Sequence, residues 1–216
     1  VTEPVRYALQ GDVAIATIDH PPVNPLSQGV REGLMAALDR ALGDPAVAGL
    51  VIAAEGRAFI AGADITEFGK PRQGPGIWEI IARLEASPKP VVAAIQGIAF
   101  GGGLEVALGC HARLLGPEAR LGLPEVKLGI LPGAGGIQRA ARLMGAVPAL
   151  RLTVTGDPLA AGAAVAAGLA EAVAEGDLVA AAAARVRALA GAVPAPIGAT
   201  PGRLAEPGAR EAFEAE

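Results

Sequence analysis

The segment Pro90-Val91-Val92-Ala93-Ala94-Ile95-Gln96-Gly97-Ile98-Ala99-Phe100-Gly101-Gly102-Gly103-Leu104 carries no charge, and Glu105 ends it. Its first part, Pro90 to Ile95, is a continuous run of small and branched apolar residues, the form of a strand buried on both faces. Leu50 to Ala54 has the same form, and helical stretches lie between and after the two. Buried strands alternating with helices define an α/β domain. The run is shorter than the ~20 residues a bilayer span needs, and Pro90, Gln96 and its glycines interrupt it. A mean hydropathy of +0.44 therefore describes a dense core, and no membrane segment is expected.

Outward from this run, Val5 to Gln10 and Val13 to Asp19 flank Gly11-Asp12 and read as an antiparallel hairpin, with Val13, Ile15 and Thr17 sharing a face. His20-Pro21-Pro22 breaks the pattern, with His20 a turn residue. Ser27 then stands as N-cap to an amphipathic helix bearing Val30, Leu34, Leu38 and Leu42 and closed by Gly43. On the other side, helical spacing covers Gly136 to Met144 and Pro148 to Thr155, and Asp157-Pro158 opens an Ala-rich helix ending near Gly168. Ala170 to Val173 supplies a last short strand and Asp177 to Leu189 a further helix. From Gly191 onward, Pro194, Pro196, Pro201 and Pro207 punctuate the chain. The expected division is a domain over 1–190 and a proline-spaced linker or truncated segment, with a short terminal helix, over 191–216.

A chain of 216 residues, 52% of them hydrophobic, can bury about 70–75% of its unfolded surface. A net charge of −4 and 3% aromatic residues supply neither the positive footprint nor the stacking platforms of a nucleic-acid-binding surface. Cys110, the one cysteine, has no internal disulfide partner, and no Cys/His cluster has zinc spacing. The expectation is a metal-free protein of a reducing compartment, the cytoplasm. Ser27 and Ser87, the only serines, lie neither in G-x-S-x-G nor beside a histidine, which removes a serine hydrolase. Cys110 and His111 are neighbours pointing to opposite faces of an extended segment and read as packing residues. Neither Gly101-Gly102-Gly103 nor Gly133-Ala134-Gly135-Gly136 has dinucleotide or Walker A spacing, so no NAD or ATP site is expected within the chain.

Carboxylates remain as candidate chemistry. Glu105 is a lone charge in an apolar setting; it reads either as an acid in the first turn of a helix, favoured by the dipole, or as a functional group. Glu125, after Leu121-Gly122-Leu123-Pro124, is either an ordinary loop carboxylate or a second functional one, and Asp64 reads as a helix N-cap. Three consecutive glycines after a buried strand cost backbone entropy and imply close backbone approach or exposed N–H groups at a helix start. Ala61-Gly62-Ala63 has the same character. Two such N–H groups aimed at one carbonyl oxygen would form an oxyanion hole.

Ala58-Phe59-Ile60-Ala61-Gly62-Ala63-Asp64-Ile65, Lys89 to Gly97 leading into Gly101-Gly102-Gly103-Leu104-Glu105, Leu123-Pro124-Glu125, and Leu131-Pro132-Gly133-Ala134-Gly135-Gly136 together resemble the enoyl-CoA hydratase/isomerase (crotonase) superfamily. The resemblance runs from the first hairpin to about Leu189 and implies a spiral of ββα units with surrounding helices. It places the oxyanion hole on the backbone N–H groups of Ala63 and Gly102, the two catalytic carboxylates on Glu105 and Glu125, and CoA contacts on Arg57, Ala61, Gly62 and Asp64. Arg57 reads equally as a solvated surface arginine. The implied substrate is an acyl-CoA, with CoA part of the substrate and no further cofactor. Gly116 to Gly129 is most similar to the hydratase part of bifunctional enzymes that continue into a 3-hydroxyacyl-CoA dehydrogenase, which makes a C-terminal dehydrogenase domain a candidate partner. Single-domain members carry further C-terminal helices that complete the pocket and mediate trimers, so a homo-oligomer is compatible with the resemblance. Retention of both glutamates favours hydration. Isomerisation of 3-enoyl to 2-enoyl thioesters, and a thioester-binding fragment without activity, stay as alternatives.

Overall fold

The computed structural model describes residues 3–71 and 73–215; Val1, Thr2, Arg72 and Glu216, and with them the outer ends of both expected segments, lie outside the described residues. The expected hairpin is present as β1 (Val5–Gln10) and β2 (Val13–Ile18), paired antiparallel. Ser27 caps α1 (Gln28–Gly43), accepting a hydrogen bond from the Val30 N–H. Strands then come in pairs: β3 (Gly49–Ala54) with β4 (Ala58–Ile60), followed by α2 (Ile77–Glu85); β5 (Val91–Ile95) with β6 (Ile98–Phe100), followed by α3 (Gly102–Gly109). The third pair, β7 (Ala112–Leu115) and β8 (Arg120–Gly122), leads through a 3-10 turn over Pro124–Leu128 to α4 (Gly136–Met144). The order is completed by α5 (Ala146–Thr155), β9 (Leu159–Ala160), α6 (Ala161–Ala166), β10 (Ala172–Val173), α7 (Leu178–Leu189) and α8 (Ala209–Glu214).

The first strand of each pair joins a six-stranded sheet of order β1-β2-β3-β5-β7-β10; the second joins a four-stranded sheet of order β4-β6-β8-β9. The pairings β2–β3, β3–β5, β5–β7, β4–β6 and β6–β8 are parallel, so the chain climbs in ββα steps, as the resemblance implies. Both faces of the central strands β3 and β5 are buried. Ala14, Ala16, Ile18, Ile52 and Ile95 face the main core, while Val13, Ile15, Val51, Val92 and Ala94 pack against Ala182, Ala183 and Val186 of α7. The period-two alternation of β2 thus separates two cores and not core from solvent.

Three local readings need correction. The helix expected from Pro148 starts at Ala146; Pro148 sits in its first turn, where a missing N–H costs no helical bond. The helix expected from Asp157 starts at Ala161, because Leu159 and Ala160 are taken by the small sheet, opposite Leu121 and Arg120. The strand expected over 170–173 is confined to Ala172–Val173, paired parallel with β7. The proline-spaced tail forms two short 3-10 turns and α8, laid against α4 and α5, with Arg142 Nε donating to the Thr200 carbonyl at 2.9 Å. Cys110 is buried and its thiol donates back to the Val106 carbonyl at the end of α3, while His111 Nδ1 accepts the Val91 N–H of β5 at 2.9 Å. Among the described residues, no helix is long and apolar enough to cross a membrane.

Candidate active site

The three glycines between β6 and α3 do three different things. Gly101 holds a φ of +50°, and a Cβ there would lie 2.8 Å from Oε1 of Glu125. Gly102 opens α3, so its N–H has no acceptor within the helix. Gly103 brings the helix backbone onto β4, where a Cβ would stand 2.1 Å from the Ile60 carbonyl oxygen. Close packing and an exposed N–H, alternatives from sequence, therefore coexist in adjacent residues.

Glu105 occupies the first turn of α3 and is 3% exposed. Its Oε1 accepts two backbone hydrogen bonds, from Ala134 N–H at 2.7 Å and Gly136 N–H at 2.9 Å. Gly136 permits this approach, since a Cβ would stand 2.9 Å from Cγ of Glu105. Burial pushes the carboxyl above its ordinary range; the two N–H groups and the Arg139 guanidinium oppose that rise. Gly133 to Gly136 lacks dinucleotide or Walker A spacing, and the sequence alone gives it no stated role at Glu105. The structure makes this loop the holder of Glu105, and Gly136 is the residue whose type signals it.

Glu125 reaches the same place from the turn after β8 and is 9% exposed. Its Oε2 is buried with no hydrogen-bond partner among the described residues. Burial raises its carboxyl, the nearby charge of Glu105 raises it further, and its own backbone N–H works the other way. The charge of Glu105 acts on Glu125, so the titrations of the two carboxyls are linked.

Both carboxylates line one cavity of about 370 Å³, together with Ala61, Gly62, Ala63, Gly101 and Gly102, and with Ile65, Phe68, Ile77, Leu128 and Leu131 as apolar wall. A Cβ added to Gly102 would lie 3.8 Å from the Ala63 nitrogen, so the two backbones stand next to each other in the cavity wall. Among the described residues, the Ala63 N–H donates to no protein acceptor, although its neighbours are engaged: Ala61 N–H on Val23 O and Gly62 O on Leu26 N–H. Two residues of the expected set stand apart. Asp64 is half-buried and caps the turn Ile65–Glu67, its Oδ1 accepting from Thr66 N–H and Oγ1, which hold its carboxyl below the usual range. Asp64 lines an adjoining cleft, and Arg57 is an exposed residue just before β4 that lines neither space. No group of three His, Cys, Asp or Glu side chains among the described residues is placed to hold a metal ion.

The family model described as Enoyl-CoA hydratase/isomerase matches residues 8–201. The chain belongs to this family. It is 49% identical over 171 residues to a Peroxisomal bifunctional enzyme of Danio rerio, covering 79% of this chain and 24% of the relative. It is 39% identical over 162 residues to a Probable enoyl-CoA hydratase of Bacillus subtilis (strain 168), covering 72% of this chain and 63% of the relative. The chain thus spans about a quarter of the first relative and under two thirds of the second. Among solved structures, a carnitinyl-CoA dehydratase from Mycobacterium avium 104 superposes with a TM-score of 0.78 at 34% identity, over 92% of this chain and 80% of that one. The α/β spiral is therefore the crotonase fold, and the chain is of the enoyl-CoA hydratase/isomerase kind.

Proposed function

We propose that the chain hydrates 2-trans-enoyl-CoA to 3-hydroxyacyl-CoA, a step of fatty-acid β-oxidation. The observation that carries this reading is the convergence of Glu105, Glu125 and the N–H groups of Ala63 and Gly102 on one cavity. The thioester oxygen accepts from the two N–H groups, which stabilise the enolate-like charge formed when water attacks the β-carbon. Glu105, held as a carboxylate by two N–H donors, takes the proton from that water. Glu125, with an unpartnered oxygen in a buried position, carries the proton that goes to the α-carbon. Ala61, Gly62, Asp64 and Arg57 stay assigned to the CoA portion, which enters as part of the substrate; no separate cofactor takes part, and the setting is the cytoplasm. A dehydrogenase domain following this one is the partner the bifunctional relatives suggest.

Loss of conjugated-thioester absorbance on adding a four-carbon 2-enoyl-CoA tests the reading directly. Turnover supports hydration. Binding without turnover favours a thioester-binding fragment, and conversion only of 3-enoyl substrates favours an isomerase, which needs a single proton shuttle.

A further inference from the structure

Arg139 of α4 is 8% exposed, and its guanidinium is fully engaged on two sides. Toward α2 it forms a bidentate pair with Glu85, Nε to Oε1 and Nη2 to Oε2, both at 2.8 Å. Toward the loop, Nη1 donates to the carbonyl of Ala134 at 3.0 Å. The N–H of that same Ala134 donates to Oε1 of Glu105. A continuous chain of hydrogen bonds therefore runs from Glu85 through Arg139 and Ala134 to Glu105. Gly135 curls around the guanidinium with a φ of +87°; a Cβ there would stand within 2.2 Å of Nη1, so the loop is shaped to this cation.

We infer that Arg139, oriented by Glu85, is a positioning residue for Glu105, acting through the Ala134 carbonyl. A planar fork can bind a carboxylate in two places and still present its third nitrogen to a carbonyl, which a lysine ammonium cannot do with the same geometry. The loop is thereby held so that two N–H groups converge on one oxygen of Glu105. The charge of Arg139 adds to this by favouring the carboxylate. The charged groups facing Glu105 are Glu125 from its turn and Arg139 from α4, with Glu85 of α2 behind the guanidinium. The strands β4 and β6, packed against α3, present no titratable side chain.

The inference rests on Glu105 being the water-activating base, and its test separates the two. The carboxyl carbon-13 resonance of Glu105, assigned against Glu105→Gln, is titrated in the full chain and in three variants, with hydration kinetics alongside. Arg139→Gln removes the positive charge and is expected to raise the Glu105 titration midpoint. Glu85→Gln leaves that charge less neutralised and is expected to lower it. Arg139→Lys keeps the charge but loses the fork, so the midpoint holds while kcat falls, by up to about 10²-fold for a misplaced group, with KM little changed. Opposite shifts in the first two variants report the charges of the pair, and the fall in kcat at a held midpoint in Arg139→Lys is what a merely structural ion pair would not produce. If Arg139→Gln does not fold, the downward shift in Glu85→Gln and the kcat loss in Arg139→Lys decide the question. An unmoved midpoint with normal kcat in the folded variants, or shifts in the same direction, overturns the inference. If the unaltered chain hydrates no enoyl-CoA, the proposed function falls, and the titration still judges Arg139.

Discussion

The two glutamates enter one cavity from different elements and are treated differently there. Glu105 comes from a helix start, has two N–H donors on one oxygen and a cation behind the loop that supplies them. Glu125 comes from a 3-10 turn, leans against a glycine backbone and has a buried oxygen with no partner. Burial raises both carboxyls, but at Glu105 two N–H donors and a cation oppose the rise, while at Glu125 the charge of Glu105 adds to it. Identity of residue type does not set the role; the donors around it do.

The largest expected effects come from removing either side of this contrast. Glu125→Gln should lose hydration and α-proton exchange together, by about 10² to 10⁴. Glu105→Gln should lose hydration by a similar factor while keeping a larger share of α-proton exchange in deuterated water, followed by mass spectrometry of the thioester. Equal loss of both reactions in both variants, with acyl-CoA still bound, would end the division of labour. Next in size, Gly102→Pro removes one of the two N–H groups without altering either glutamate. It should lower turnover by about 10² to 10³, with melting temperature measured in parallel. Calorimetry should also show weaker discrimination of acetyl-CoA over CoA; equal affinity of the unaltered protein for both would contradict the oxyanion hole.

Gly101→Ala should act more mildly, through both strain and displacement. At Gly101 φ is +50° and ψ −122°, a strained conformation for Ala that costs on the order of 1–3 kcal/mol, and its Cβ would press on Oε1 of Glu125. Turnover should fall chiefly in kcat, and denaturant titration reads the loss of stability.

The smallest effect is on stability against pH. Both folded-state carboxyls lie above the ordinary value of 4.5, so between 4.5 and the raised values the folded chain binds more protons than the unfolded one. Their contribution therefore favours folding at the acid end of that window and is lost as pH rises through it. Glu125→Gln removes its share of the penalty and should raise stability at neutral pH by about 0.5–2 kcal/mol while abolishing activity. A neutral-pH melting temperature no higher than that of the unaltered chain would place the cost elsewhere.

Much of this was legible in the residues, for identifiable reasons. The strands over Leu50–Ala54 and Val91–Ile95 show because burial on both faces leaves no polar residue to blur them. Glu105 and Glu125 stood out as isolated acids beside glycines, and the structure brings them together. The three-residue strands β4, β6 and β8 were not legible from periodicity, being too short to express one. The small sheet captured Leu159 and Ala160 from a segment whose local signals are helical, an outcome that depends on β8 lying alongside. The support of Glu105 was invisible for a related reason. Ala134 contributes only its backbone, and Arg139 meets Glu85 across a separation no local window spans.

The single thiol of Cys110, sealed beneath α3 with its pKa pushed up to about 12, gives the chain a built-in reporter. Burial disfavours the thiolate while the fold holds, so alkylation waits for opening of the core. The rate of that labelling is a gauge of how often α3, and Glu105 with it, leaves its place. A cysteine added at an exposed site such as Ala212 would take a dye alone, with no need to remove the native one.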